Sequence, residues 1–252
     1  MSEGGCTGCG CGTAAPGKLE GTLEAYTRHA VICSGQSQWP AKIEAEEGSV
    51  AQALSKSCIA AGLIPKKHKG SNKEKAAAAD GAGAAAANHW VVRLTACAEE
   101  STGPTGTTDV LVYPGGRRYR LRGIEDVEPF VAAALAKGED YEAAAVADGS
   151  AGFKNLVLVC THGERDKRCG RAGPQVVAEL EAAKAARGIT DAQVVVRGCS
   201  HLGGHKYAGV CVVLPSGDWY GELSKRNAAK ILDRCVGGPD AADLRNNWRG
   251  NM

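Results

Sequence analysis

The sequence lacks several features that would point to common classes of partner. Only two Phe and six Tyr occur among its 252 residues, which is few for the aromatic platforms that bind single-stranded nucleic acid. Its 30 basic residues are balanced by 28 acidic residues, so no global field favours nucleic acid or a membrane surface. No apolar stretch approaches the roughly 20 residues of a membrane-spanning helix. We therefore expect neither nucleic acid nor membrane as a partner.

The first residues also lack the features of a targeting segment. Met-Ser-Glu-Gly-Gly-Cys has neither the basic start nor the apolar core of a secretory signal. The first arginine is Arg28, which does not fit an Arg-rich transit peptide. We expect a cytoplasmic protein, whose thiols stay reduced and more often bind metal than form disulfides. The eleven cysteines are therefore candidates for metal chemistry.

Two cysteines in the second half flank a charged stretch that follows a predicted buried strand. The apolar run at 155–159 is typical of a central strand. Cys160 follows it directly, and Cys169 comes after eight further residues. A helix is predicted from Pro174 to Gly188, because proline favours the first helical position and glycine favours the end. We expect both cysteines in a strand-to-helix loop, where proteins commonly present functional groups.

The two halves of the chain carry the same order of predicted elements. Each half reads as strand, helix, strand, β-hairpin and helix, with turn sequences at 114–116 and 215–217 at equivalent points. A β-α-β start followed by an antiparallel pair is the thioredoxin-like plan. We predict an α/β fold of two tandem thioredoxin-like domains, and one larger α/β sheet is the alternative.

The predicted boundaries separate a scaffold from a site-bearing part. Residues 1–20 are predicted to be a flexible Cys/Gly-rich arm. Residues 21–148 form the N-terminal domain, in which the low-complexity stretch 66–88 is an insertion. Residues 149–252 form the C-terminal domain, which carries the candidate site.

Two histidines complete the candidate site of the second half. His201-Leu-Gly-Gly-His205 follows the next predicted strand, and its two glycines oppose a helix and favour a bend. In the predicted fold this loop and the cysteine loop leave neighbouring strands at the same end, so the four side chains can converge. The equivalent loop of the first half contains no histidine, and Lys42 stands where the second half has Cys169. The first half is therefore predicted to be a scaffold.

Two Cys and two His can bind either of two kinds of metal centre. Zinc would take all four in a closed tetrahedral site. A [2Fe-2S] cluster would take two ligands on each iron, with histidine replacing some thiolates as in Rieske centres. The two long loops favour the cluster, because zinc ribbons and fingers use a tighter cysteine knuckle. Zinc and a metal-free chain remain alternatives.

At these motifs the sequence resembles the sucrase/ferredoxin-like family of thioredoxin-like [2Fe-2S] proteins. The motifs that carry the resemblance come from both halves and lie at residues 29–35, 39–44, 160–170, 200–209, 214–221 and 248–250. The resemblance implies a [2Fe-2S] cluster whose metal ligands are Cys160, Cys169, His201 and His205.

This ligand set implies an electron-transfer protein, a ferredoxin-like carrier rather than an enzyme. Two ferric ions, two sulfides, two thiolates and two neutral imidazoles sum to zero charge. We therefore expect a reduction potential well above the about −400 mV of plant-type ferredoxins. Each imidazole has a second nitrogen, so electron uptake is expected to couple to protonation. The expected partners are a redox donor, a redox acceptor and the cytosolic iron-sulfur assembly machinery.

Other residues near the motifs are expected to have supporting roles. His162 is predicted to bond the backbone, and Cys199 is predicted to be a buried thiol. Four basic residues flank the ligand loops and could dock an acidic partner: Arg165, Lys167, Arg168 and Lys206. Cysteines on apolar elements are expected in the core, namely Cys33, Cys58, Cys97, Cys211 and Cys235. Three further cysteines form a tail with adventitious metal affinity: Cys6, Cys9 and Cys11.

Two other function classes remain open from the sequence. One is a zinc-stabilised interaction module, which would use the same four residues. The other is a thioredoxin-fold thiol redox protein, although no C-x-x-C motif follows a first strand.

Overall fold

The structure is a computed structural model that describes residues 18–64, 91–141, 145–237 and 239–252. The predicted insertion at 66–88 and most of the predicted arm lie outside these ranges, as do cysteines 6, 9 and 11. No helix within the described ranges is long and apolar enough to cross a membrane.

The described residues form a mixed α/β fold around one ten-stranded sheet. The strands are β1 (Arg28–Cys33), β2 (Val92–Cys97), β3 (Thr108–Tyr113), β4 (Arg117–Leu121), β5 (Ala145–Ser150), β6 (Asn155–Cys160), β7 (Val194–Cys199), β8 (Cys211–Leu214), β9 (Asp218–Tyr220) and β10 (Trp248–Asn251). The helices are α1 (Val50–Ala60), α2 (Val127–Phe130, continued by π-helical turns over Val131–Lys137), α3 (Lys167–Ala186) and α4 (Lys230–Val236).

The same strand arrangement occurs twice in this sheet, whose order is β10-β9-β8-β6-β7-β2-β1-β3-β4-β5. In the first half β1 is parallel to β2 and antiparallel to β3, which pairs with β4. In the second half β6 is parallel to β7 and antiparallel to β8, which pairs with β9. These are the pairings that the sequence predicts for each half. The outer strands β5 and β10 were not predicted.

One antiparallel contact joins the two halves into a single sheet. β2 and β7 pair at Cys97 and Cys199. A core of alternating strand residues also crosses the junction, because Val31 packs in the same cluster as Leu156 and Leu158. The division into two separate domains therefore stays a prediction, while the repeated strand order lies within one continuous sheet.

The helix that follows β6 begins earlier than predicted. It starts at Lys167 rather than at Pro174, because the Asp166 carboxylate accepts a hydrogen bond from the backbone N–H of Arg168 (2.9 Å) and caps the helix there. Pro174 lies inside the helix, where it removes one backbone hydrogen bond. The predicted loop position of the two cysteines is therefore wrong, since Cys160 is the last residue of β6 and Cys169 lies in the first turn of α3.

A buried ionic cluster stabilises the hairpin of the first half. The Asp109 carboxylate is fully buried and accepts hydrogen bonds from Arg118 Nη1 (2.9 Å) and Arg120 Nε (2.9 Å) on β4. It also accepts two bonds from Thr102. Burial raises the pKa of Asp109, but the bonds from Arg120, Thr102 and Arg118 outweigh it and lower the pKa to about 2. The carboxylate thus stays charged in the folded protein at neutral pH.

Asp109→Asn is expected to lower the free energy of unfolding by about 3 kcal/mol at neutral pH, because it removes the closer of the two carboxylates that pair with the buried Arg118 and leaves only Glu99 at 3.7 Å. The folded pKa lies below the unfolded value, so Asp109 stabilises the protein above about pH 4, and this stabilisation is lost as the pH falls toward 2. Urea denaturation of the variant should show a weaker loss of stability over that acid range.

Asp140→Asn is the control for this prediction, because Asp140 pairs with Arg117 at a half-exposed position (3.0 Å). Such a surface pair contributes about 1 kcal/mol or less. Equal acid sensitivity of the wild-type protein and Asp109→Asn would contradict the assignment.

Candidate metal centre

The candidate centre lies where two neighbouring strands end. Cys160 is the last residue of β6 and is directly opposite Cys199, the last residue of β7, in a parallel pair. Parallel strands carry their following loops at the same edge of the sheet, where α/β proteins commonly bind ligands. The segments that contain the predicted cysteine and histidine ligands therefore leave the sheet side by side, as the sequence predicts.

The two candidate cysteine ligands are buried and in contact. Cys160 and Cys169 are 0% and 1% exposed. The hydrogen bond from Cys169 lowers the pKa of Cys160 more than burial raises it, and further bonds come from His201 and from the backbone of Leu202 and His162. The result is a pKa of about 4 for Cys160, while the same contact raises the pKa of Cys169. The pair therefore holds one thiolate at neutral pH.

Glycines allow α3 to approach the end of β6. A Cβ at Gly173 would collide with the carbonyl oxygen of Cys160, and a Cβ at Gly170 would lie 2.6 Å from the Cα of Gly163. Only a helix without these two side chains can pack so close to the strand end. This approach brings Cys169, in the first helical turn, against Cys160.

The two histidines lie on the tight bend that the sequence predicts. Gly203 and Gly204 both have positive φ angles (83° and 70°), which favour glycine. The rings of His201 and His205 have centroids 5.9 Å apart. His201 Nδ1 is buried and, within the described residues, has no hydrogen-bond partner. The His205 side chain is 49% exposed, with Nδ1 3.9 Å from the Asp166 carboxylate.

The structure thus brings Cys160, Cys169 and His201 together, with His205 beside them at the rim. Among the described residues no three His, Cys, Asp or Glu side chains surround a point in the way that a single metal ion requires. A closed zinc site needs four ligands around one ion, whereas a [2Fe-2S] cluster divides its ligands between two irons. The buried thiolate and the unpartnered imidazole nitrogen are donor types that fit a [2Fe-2S] cluster with mixed ligands, and zinc uses the same donor types.

The first half of the chain forms a wall of the candidate centre. His162 is 2% exposed, and its Nε2 donates to the carbonyl oxygens of Trp39 and Pro40 (3.1 Å each). Arg165 Nη1 donates to the carbonyl oxygen of Ala41 (3.2 Å). The predicted backbone bonding of His162 is confirmed. That its partners come from the other half could not be deduced from the sequence.

Two arginines that sequence analysis did not single out lie behind the histidine turn. Arg93 Nη1 on β2 donates to the carbonyl oxygen of Leu202 (2.8 Å). Arg249 on β10 packs on Gly204, where a Cβ would lie 2.5 Å from its Nη1. The only sequence signal for either was the Trp-Arg-Gly motif that contains Arg249.

Most of the remaining cysteines lie in the core, as predicted. Cys199 is fully buried, and burial raises its pKa well above the ordinary value. Four of the other predicted core cysteines are 2% exposed or less: Cys33, Cys58, Cys97 and Cys211. Cys235 is only partly buried.

The four flanking basic residues are exposed, and two of them have contacts besides the bond from Arg165 to Ala41. Arg168 Nη2 forms an ion pair with the Asp166 carboxylate (2.8 Å). Lys206 Nζ lies 4.8 Å from the centroid of the Tyr207 ring. Lys167 and Arg165 extend the same rim, and together these residues make it basic.

Comparisons with known proteins agree with the resemblance seen in the motifs. The family profile described as Sucrase/ferredoxin-like matches residues 19–250. Two fungal proteins named Altered inheritance of mitochondria protein 32 are similar in part. The one from Debaryomyces hansenii is 40% identical over 105 residues, which are 39% of this chain and 36% of that protein. The one from Candida glabrata is 25% identical over 193 residues, which are 61% and 59%.

The matched regions therefore span less than two thirds of the length of these relatives. Among solved structures, a thioredoxin-like [2Fe-2S] ferredoxin from Aquifex aeolicus is 17% identical, with a TM-score of 0.34. That match covers 39% of this chain and 93% of the ferredoxin.

Cys169→Ala is expected to raise the pKa of Cys160 in metal-free protein, because the hydrogen bond from Cys169 is the largest cause of its lowered value. Ultraviolet thiolate absorbance should show one thiolate at neutral pH in the wild-type protein. It should appear at higher pH in Cys169→Ala and be absent in Cys160→Ala. Cys235→Ala is the matched control and should leave the titration unchanged. A Cys169→Ala titration like that of the wild type would show that the two thiols are not in contact.

Proposed function

Since the chain belongs to the sucrase/ferredoxin-like family, we propose that it is an electron-transfer protein that holds one [2Fe-2S] cluster through Cys160, Cys169, His201 and His205. The observation that carries the proposal is the buried contact of Cys160 with both Cys169 and His201 at the end of β6. When bound, the cluster would accept and release one electron. The proposal also takes the two halves as tandem thioredoxin-like domains, and the repeated strand order supports this.

The candidate ligands are not equally buried, so one side of the site is open to solvent and the other is closed. Cys160 and Cys169 are buried inside the protein, so water does not reach their sulfur atoms. His205 is half exposed, so a partner would approach most closely at this residue. The basic rim at Lys167 and Lys206 suits an acidic redox donor or acceptor. Cytoplasmic redox proteins and the iron-sulfur assembly machinery complete the proposed set of partners.

A thiol–disulfide function is the second candidate, because Cys160 and Cys169 are in contact and the pKa of Cys160 is lowered to about 4. A thiolate paired with a second thiol is the arrangement of thiol oxidoreductases. However, both side chains are almost completely buried, whereas exchange requires a substrate disulfide to reach the attacking sulfur. Burial therefore favours the electron carrier.

Absorption spectroscopy with iron and sulfide analysis tests the proposal. The freshly purified protein should be coloured and contain about two irons and two sulfides per chain, the content of one [2Fe-2S] cluster. Cys160→Ser and Cys169→Ser should each lose the colour, because each removes a thiolate ligand. Cys235→Ser is the control and should keep it. Retained absorption in both ligand variants would place the centre elsewhere, and a colourless wild-type protein with bound zinc would support the interaction module.

The two histidine ligands should make the reduction potential depend on pH. If reduction favours protonation of an imidazole, the midpoint potential should fall as pH rises, by up to about 59 mV per unit for a one-electron couple. His201→Cys and His205→Cys should each lower the potential, because a thiolate replaces a neutral ligand, and should weaken the slope. Redox titration followed by visible absorption measures both effects. Unchanged potentials in both variants would show that neither histidine binds iron.

A further inference from the structure

We infer that Arg93 and Arg249 are a pair of positioning residues that hold the His201–His205 turn from behind and place two positive charges beside it, one partly buried and one buried, which raises the reduction potential of the bound centre. The inference rests on the proposed function. Neither residue is a candidate ligand. They come from different halves of the chain, on β2 and β10, and approach each other only in the folded protein.

Arg93 reaches the turn from the first half. Its guanidinium carbon lies 4.9 Å from the ring centroids of both Tyr26 and Trp219. From this position Nη1 donates to the Leu202 carbonyl oxygen (2.8 Å). The Tyr26 hydroxyl accepts a hydrogen bond from Trp219 Nε1 (2.8 Å), so the two rings are fixed relative to each other. The guanidinium is thus held by a rigid aromatic frame.

Arg249 reaches the turn from β10. It is 4% exposed and donates from Nε and Nη2 to the hydroxyl and carbonyl oxygens of Thr22 (3.1 and 2.9 Å). Its guanidinium carbon lies 5.1 Å from the centroid of the Tyr207 ring. It occupies the space that a Cβ on Gly204 would need. Since Gly204 directly precedes His205, this charge lies next to a candidate ligand.

The contacts of both arginines are mainly with neutral groups. Their N–H groups donate to backbone carbonyls and to one hydroxyl, and their guanidinium groups lie over aromatic rings. Glu24 also acts on Arg93 electrostatically. Among the described residues, Arg93 Nε and Arg249 Nη1 are buried without a hydrogen-bond partner. Burial lowers the pKa of Arg249, and the charge of Arg93 lowers it further. The two cations therefore repel each other, and a nearby negative charge would relieve the repulsion.

The electron that a cluster held at His205 would accept is such a charge. A buried cation stabilises the reduced state relative to the oxidised state, because the attraction is stronger in the protein interior than in water. The same hydrogen bond that positions Leu202 fixes the backbone between the two histidines. One arginine pair thus sets both the geometry of the turn and its local charge.

Redox titration of arginine variants tests the inference. Arg93→Met and Arg249→Met should each lower the midpoint potential of the coloured protein, and the double variant should lower it further. Arg93→Lys and Arg249→Lys keep the charge and should retain most of the wild-type potential. Arg226→Met is the control, because Arg226 is an exposed arginine outside both ligand segments, so its charge is screened by water. Equal shifts in the Met and Lys variants, or no shift in any of them, would overturn the electrostatic role.

Hydrogen exchange of the metal-free protein gives a second, independent measurement. Loss of the bond to Leu202 in Arg93→Met should speed amide exchange over residues 200–209 roughly fivefold, the effect of a hydrogen bond of about 1 kcal/mol. Arg226→Met should leave that segment unchanged, and equal exchange in the wild-type protein and Arg93→Met would overturn the positioning role. If the wild-type protein binds no iron, the proposed function fails; if it binds iron while potential and exchange are insensitive to Arg93 and Arg249, only this inference fails.

Discussion

The pairing of β2 with β7 is the contact on which the candidate metal centre depends. It is short, with Cys97 opposite Cys199, but hydrogen bonds extend it beyond the strand ends. The Ser200 N–H donates to the Ala96 carbonyl oxygen (2.8 Å), and the Ala96 N–H donates to the Ser200 hydroxyl (2.9 Å). The histidine segment therefore starts with its first residue fixed to the other half of the chain. Without this junction, Arg93 could not reach Leu202.

The two halves show how one strand plan supports different cysteine chemistry. Cys33 ends β1 as Cys160 ends β6, and each lies opposite a cysteine on the neighbouring parallel strand. The contact with Cys97 and burial raise the pKa of Cys33 well above its ordinary value. Cys160 instead receives hydrogen bonds from several donors, among them Cys169 and His201, and its pKa falls. The strand end is common to both halves, while the donors around the thiol belong to the second half alone.

The parts of the molecule that depend on local pattern could be predicted from the sequence. Apolar runs and turn residues locate the inner strands, and the placement of Cys160 and His201 follows from the rule that parallel strands end at one edge. The start of α3 was mistaken because Pro174 gave a stronger local signal than the cap at Asp166. The partners of His162 and the position of Arg93 depend on contacts between halves. The spacing of residues along the chain does not indicate which residues of the two halves come into contact.

The two halves differ in whether a buried arginine has a carboxylate partner, and this difference explains why Arg93 and Arg249 matter. Arg118 is 5% exposed, but the first half supplies it with Asp109 at 2.9 Å, so its charge is balanced within the protein. Arg249 is equally buried, yet it contacts a threonine, an aromatic ring and a glycine. An unbalanced buried charge costs several kcal/mol. The Cys160 thiolate and the electron carried by the proposed cluster are negative charges at the same edge of the sheet. On this view Arg93 and Arg249 stabilise the metal centre and are stabilised by it, and the first half of the chain contributes Arg93.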